Sequence, residues 1–348
     1  MRQKVFVLGV GKRCQKCWLK LLLARPEIEI VGMADTDPKV RAEAVAEYPI
    51  LETVRFYTSL EAFLAAGGSA DFCVVCTPPQ VHFGQITTLL RAGIDVLTEK
   101  PVVLTMEKGV ALAETAEKFG RHFWVAQNFR FSRSAQYLRE AVQTEKYGKP
   151  GMSTLNYLRD RDGSAPWLNK YPLTMEQPML FEQSEHHYDL FRYCYGTEIQ
   201  AVYGKTMNPS WSMYRHDATV CNLFETESGL LINYFGTWSA AHSGFGFQWR
   251  TDFERGVILQ NSMFADMFEA PRHSEALNPV LLEPEELFVT DAGVLLDYFI
   301  RRNDGPISKE MPTIRDNLKT IALMFATLHA QKERKVIYMD EFLKEFGI

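Results

Sequence analysis

The stretch "FEQSEHHYDLFRYCYG", residues 181–196, holds two histidines and three carboxylates inside an aromatic run. On an α-helix Glu182, His186 and Asp189 fall at i, i+4 and i+7, one face, while Phe181, Tyr188, Phe191 and Tyr195 supply an apolar flank. Carboxylate, imidazole and carboxylate in one stripe is what a general base with an orienting partner requires. His187 points about 100 degrees away from His186 on a helix, so the two cannot serve one site equally. Metal ligation lacks a third ligand at sensible spacing, and no metal is expected.

A second set of residues could hold a cofactor. In "VFVLGVGKRC", residues 5–14, Gly9 and Gly11 follow an apolar run and precede a helical pattern, the context that gives a partial G-x-G-x-x-G match its meaning. Gly9 can make the tight turn, and Gly11 lets the backbone, with Lys12 and Arg13, approach a pyrophosphate at a helix N-terminus. Cys14 stands in the third glycine position. Asp35 closes the next apolar run about twenty-five residues after Gly9, near the spacing of a carboxylate that binds ribose hydroxyls. Its charge would repel a 2'-phosphate, which favours NAD over NADP.

Cys14 and Cys17 also form a CxxC pair, and Cys73 and Cys76 another. On a helix the first pair would lie one turn apart, as in thioredoxin-like motifs. A pyrophosphate would compete for that surface, and residues three apart on a strand face opposite sides. Dithiol or metal chemistry is therefore the minor reading, with Cys76 expected near Cys14 if their strands are neighbours.

These residues must be carried by a suitable scaffold. The 348 residues are 46% hydrophobic and 23% charged, enough for a large core and more consistent with two domains than one. A net charge of -5 without a basic stripe argues against nucleic acid. The N-terminal apolar run is shorter than a signal-peptide core, no run approaches bilayer length, and the cysteines read as reduced thiols. These features lead to the expectation of a cytoplasmic protein with no membrane partner.

From Lys4 to about Phe123, strand-like runs ("KVFVLGV", "EIEIVGMAD", "DFCVVCTPP", "DVLTEKP", "HFWVAQN") alternate with helical segments. Such alternation predicts an α/β, doubly wound Rossmann parallel sheet over residues 1–125. Beyond it the texture changes. Residues 126–348 read as an α+β domain with a mostly antiparallel open sheet, including a hairpin turned at "ESG". A C-terminal helix at about 313–333 could pack back on the first domain. An open sheet face commonly needs covering, so a homo-oligomer, dimer or tetramer, is expected.

Residues 71–105, "DFCVVCTPPQVHFGQITTLLRAGIDVLTEKPVVLT", resemble the glucose-fructose oxidoreductase and inositol dehydrogenase family (Gfo/Idh/MocA). Its pattern of a strand ending in TPP, a histidine soon after, and an EKP-bearing strand falls here on Thr77, Pro78, Pro79, His82, Glu99, Lys100 and Pro101. The resemblance continues through the "YGKPG" turn to the C-terminal helix. It implies a Rossmann domain and an open-sheet domain, with substrate between them beside the nicotinamide. Thr77, Pro78, His82, Glu99, Lys100, Asn128 and Trp167 would then be cofactor residues. Strand physics agrees for Lys100, which reaches the carboxyl edge of the sheet, where an ammonium can donate to a reacting oxygen. Carried over residue by residue, the resemblance makes Glu182 the carboxylate partner, His186 the general acid/base and Asp189 a second carboxylate. Glutamate at 182, where relatives carry aspartate, reaches one methylene further.

Tyr157, Arg159, His187 and His242 could line a sugar pocket or serve packing, and Arg130 lies with Asn128 near the hinge. Trp211, Trp238, Phe245, Phe247 and Trp249 suit either a sugar ring or the core. The leading expectation is an NAD-dependent dehydrogenase acting on a secondary hydroxyl of a sugar, sugar derivative or cyclitol. Two alternatives stand beside it. One is an NAD-recycling glycosidase or lyase working through transient sugar oxidation, and the other is a non-enzymatic dinucleotide-responsive regulator.

Overall fold

The computed structural model describes residues 2–161, 163–165, 170–242 and 244–348. Two compact units divide the chain, residues 1–128 with 286–318 and residues 129–285 with 319–348. The first unit thus takes back a later segment that the sequence pattern assigns to the second domain.

Six strands build the sheet of the first unit: β1 (Gln3–Leu8), β2 (Ile28–Ala34), β3 (Phe56–Tyr57), β4 (Phe72–Val75), β5 (Asp95–Thr98) and β6 (Phe123–Val125). All pairs are parallel, in the order β3-β2-β1-β4-β5-β6. Helices cover both faces of such a sheet, which is why β4 ("FCVV") and β5 ("DVLT") are buried along their whole length. Crossover helices include Leu60–Ala65 and Met106–Lys118, whose first turns are capped by the Ser59 and Thr105 hydroxyls. Strand β3 escapes a reading by periodicity because two residues carry none.

The returning segment holds a helix, Thr290–Ile300, and adds a bridge from Thr313 to Trp124 at the β6 edge. Arg302 fastens it. Buried, it donates to Asp95 Oδ2 at 2.6 Å and to Gln3 Oε1 at 3.0 Å, with its guanidinium over the rings of Phe72 and Phe299.

In the second unit nine strands form one sheet: β7 (Pro150–Leu158), β8 (Ile199–Met207), β9 (Thr219–Thr226), β10 (Leu231–Thr237), β11 (Gly246–Phe253), β12 (Gly256–Ser262), β13 (Ala265–Pro271), β14 (Asn278–Val280) and β15 (Ile337–Tyr338). The order is β14-β13-β12-β11-β7-β10-β9-β8-β15, and β7 with β10 is the parallel pair in an otherwise antiparallel ladder. The β9–β10 hairpin turns at Gly229, whose φ of 82° needs a residue without Cβ. One sheet face packs on helices through Tyr188, Phe191, Phe224, Tyr234 and Trp249. Trp238, Phe247 and Trp249 are buried, while Trp211 and Phe245 are exposed. The opposite face shows Met152, Tyr203, Leu223 and Leu231 to solvent. The C-terminal helix runs Ile314–Glu333. Among the described residues no helix is long and apolar enough to cross a membrane.

Candidate functional site

At the carboxyl end of β1 the two glycines answer different needs. Gly9 has φ +86°, donates its N–H to Ala34 O at 2.9 Å, and a Cβ on it would sit 2.7 Å from Cys76 C and Thr77 N. It is therefore glycine because β1 and β4 close on it. A Cβ on Gly11 would meet nothing within 4 Å, so its open side is available to a ligand. Asp35 accepts from the N–H of Val10 at 2.7 Å and of Asp37 at 2.9 Å. Those contacts fix the carboxylate beside the glycine turn, and a carboxylate retains acceptor capacity beyond two bonds. The turn, the open glycine and the fixed carboxylate fit a dinucleotide. Lys12 is exposed.

Several expected cofactor residues make contacts within the protein. Glu99 accepts from Arg13 Nε at 2.7 Å and from Trp18 Nε1 at 2.8 Å, and Arg13 Nη1 also donates to Phe288 O at 2.9 Å. Burial works to raise the Glu99 pKa, but the Arg13 charge and hydrogen bond, with help from Lys100, hold it below the usual carboxylate range. Arg13 and Glu99 thus lock the helix after the turn to the end of β5. His82 is fully buried, with Nε2 at 2.7 Å from Thr77 O and Nδ1 at 3.1 Å from Pro101 O and 3.2 Å from Val102 O. Burial lowers its pKa in spite of these carbonyls, and its ring braces the two loops. Asn128 is likewise buried and donates to Asp291 Oδ2 at 2.6 Å. Thr77 donates to Gln85 Oε1 at 2.6 Å, and Pro78 stands exposed at the start of the Pro79–Arg91 helix. Lys100 is half-buried next to Glu99. Trp167 lies outside the described residues.

The cysteines are not set up as a dithiol. The helix after the glycine turn is π-wound over Cys14–Leu19, and both Cys14 and Cys17 are buried. Burial pushes the Cys17 thiol up to about 12, and its S–H donates to Phe288 O at 3.3 Å. Cys76 does neighbour Cys14, as the strand order implies, and burial raises the Cys76 pKa. Such thiols are poor nucleophiles.

In the second unit the helix carrying Glu182, His186 and Asp189 changes its winding. Leu180–Ser184 is π-wound and α-geometry begins only at Glu185–Tyr195, so wheel arithmetic from Glu182 onward slips. Glu182, half-buried, accepts from the Tyr171 hydroxyl at 2.8 Å. The His186 ring stacks on Phe129 with centroids 3.9 Å apart and planes 15° off parallel. Asp189 accepts the buried fork of Arg130 at 2.5 and 2.6 Å and is reached by Thr320 at 3.2 Å.

His187 is also committed to the protein. Nε2 faces Gln183 Nε2 at 3.2 Å and Nδ1 faces the Tyr234 hydroxyl at 2.9 Å, which in turn meets Ser184 Oγ at 2.9 Å. With the Gln183 amide donating, the proton sits on Nδ1 and is given to Tyr234. Burial pushes the pKa of His187 down to about 3, so the ring is neutral at physiological pH. The buried Tyr157 hydroxyl joins this network by donating to Gln183 Oε1 at 3.3 Å. Arg159 is half-buried and His242 is exposed. Tyr171, Gln183, Ser184 and Tyr234 were not anticipated. The inward parity of Tyr234 on its strand was the one sequence signal for this group. Among the described residues no cluster of three or more potential metal ligands occurs.

Comparison with known proteins joins the two halves. The profile of the oxidoreductase family GFO_IDH_MocA, NAD-binding Rossmann fold, matches residues 3–127, and that of the GFO/IDH/MocA C-terminal domain matches residues 135–258. The "Uncharacterized protein y4oX" of Sinorhizobium fredii is 26% identical over 98% of this chain and 96% of its own length. The D-glucoside 3-dehydrogenase of Escherichia coli is 29% identical over 47% of this chain, and the match spans 45% of that relative. An Agrobacterium radiobacter oxidoreductase crystallised with NAD+, L-tartaric acid and magnesium shares the fold at a TM-score of 0.85, with 15% identity, covering 98% of this chain and 99% of that one. An NAD-binding Rossmann fold followed by a C-terminal domain is what the family profiles describe, and the chain belongs to the GFO/IDH/MocA family of oxidoreductases.

Proposed function

We propose that this chain is an NAD-dependent dehydrogenase that oxidises a secondary hydroxyl of a sugar, sugar derivative or cyclitol. The observation that carries the reading is the carboxyl edge of the first sheet. Gly11 opens to a ligand there, Asp35 is fixed beside it, and Lys100 follows the Arg13–Glu99 lock. Asp35 would accept from ribose hydroxyls and repel a 2'-phosphate, which favours NAD over NADP. When bound, NAD supplies the hydride acceptor.

The remaining chemistry falls to the protein. Lys100 donates to the substrate hydroxyl oxygen and stabilises the negative charge that grows on it. His186 accepts the hydroxyl proton, and Glu182, held by Tyr171, orients it. His187, kept neutral by burial, positions Gln183 instead of exchanging protons. That a named relative is a D-glucoside 3-dehydrogenase supports a sugar-like substrate. The reading takes the protein as cytoplasmic, where exposed thiols such as Cys221 stay reduced.

The test mixes the protein with NAD and a panel of sugars, inositols and glycosides, following NADH and released aglycone together. Lys100→Met and His186→Asn are each expected to lower turnover by about 10²- to 10⁴-fold while NAD affinity stays within a few-fold. Full turnover in both variants would remove these two residues from the mechanism. Aglycone release that requires NAD but accumulates no NADH would move the reading to redox-assisted glycoside cleavage.

A further inference from the structure

We propose that the substrate carries a carboxylate and that Arg159 selects it, an inference that rests on the dehydrogenase reading above. Arg159 follows β7 directly, and its backbone is held on both sides. Its N–H donates to Thr237 O at 3.0 Å, and its carbonyl accepts from the Ala240 N–H at 3.2 Å. Side chains alternate along extended chain, so Arg159 falls on the side of Leu155 and Tyr157, which are buried, and opposite Leu158, which is exposed. That side faces the helix carrying Glu182 and His186, since Tyr157 donates to Gln183 and lies 5.0 Å from the His187 ring.

The other inward arginines of this unit have acceptors. Arg130 forks onto Asp189, Arg192 onto Glu198, and Arg161 lies 4.3 Å from the Trp238 ring and donates to the Tyr214 hydroxyl at 3.1 Å. Arg159 is half-buried, yet among the described residues its guanidinium has neither a hydrogen bond nor an ion pair. A guanidinium cannot shed its charge, so partial burial without an acceptor costs hydration and returns nothing until an anion arrives. Its planar fork matches a carboxylate with two parallel bonds. A single guanidinium offsets one negative charge, which favours a monoanionic carboxylate over a phosphate dianion. Polyhydroxy acids, aldonates or uronates, combine that group with a secondary hydroxyl to be oxidised.

The experiment uses the full chain loaded with NAD. D-Gluconate, D-galactonate and D-glucuronate are compared with D-glucitol, galactitol and D-glucose for the shift in thermal midpoint and for NADH formation. At least one acid is expected to protect and to be oxidised, with its neutral counterpart about 10-fold or more weaker. Arg159→Gln, checked to melt like the parent without ligand, should raise KM for that acid about 10- to 100-fold, a larger change than in kcat, and Arg159→Lys should recover part of it. Neutral compounds handled as well as acids, or acids bound equally by Arg159→Gln, would overturn the proposal. NADH from none of the compounds would count against the dehydrogenase reading alone. Acid-specific protection that Arg159→Gln abolishes still supports the carboxylate site, and its absence overturns it.

Discussion

Gly9 and Gly11 stand two residues apart in one turn, and the reasons for their identity separate under mutation. Gly9→Ala drives a methyl to 2.7 Å from the β4–Thr77 backbone at a positive φ. It should cost about 2 kcal/mol or more of stability. Gly11→Ala meets no protein atom, so its melting midpoint should hold while NAD affinity falls, by about 10-fold or more. Paired thermal melts and NAD titrations check this, and loss of stability in Gly11→Ala would contradict the assignment. Residue types were the legible part of this site: both glycines, Asp35 and the Glu99–Lys100 pair are visible in the chain. What Arg13, His82, Asn128 and Asp189 do was not. Arg13 meets Glu99 across 86 residues and Asn128 meets Asp291 across 163, and local pattern carries no information about such partners.

Helical period misled at two places, Cys14–Leu19 and Leu180–Ser184, where π-winding replaces the 3.6-residue turn and slides each later side chain around the axis. The alternating strands β9 and β10 were legible, with their hairpin, whereas β8, β13 and β15 drew no reading because their pattern is short or mixed. The exposed face of that sheet bears on assembly. Tyr203 pairs with Leu223 across β8 and β9, and Leu231 with Met152 across β10 and β7, all exposed. We expect a second copy to cover this face, with Cys221, the exposed thiol in its midst, as reporter. Cys221 should react slowly with a thiol reagent at high protein concentration, and faster on dilution or in Leu223→Glu, in step with a fall in mass by light scattering. Equal reactivity and mass throughout would exclude that interface.

Each unit buries a histidine kept neutral, His82 in the first and His187 in the second, so acid should act on the whole molecule. For His187 the folded pKa of about 3 lies below the unfolded value near 6.5, so between them the unfolded state binds the extra proton. Stability is therefore complete above about pH 6.5 and falls on acidification, by up to about 1.4 kcal/mol per pH unit from this group. Urea midpoints at pH 7 and pH 5 measure the drop, and His187→Gln should flatten it; an unchanged slope would place the acid sensitivity elsewhere. At this scale the alternation of strand and helix made the Rossmann unit legible to near residue 125. The return of 286–318 was not, because an apolar helix does not declare which sheet it will cover.

That return also sets an order of events during synthesis. Asp95 lies buried against Arg302, which is added 207 residues later. Until then a nascent chain holding all six Rossmann strands lacks that cation and the Phe299 ring that packs on Phe72 and Trp124. The first domain to be translated thus cannot close on its own strands, and the ribosome must deliver most of the second domain before the cofactor fold is complete.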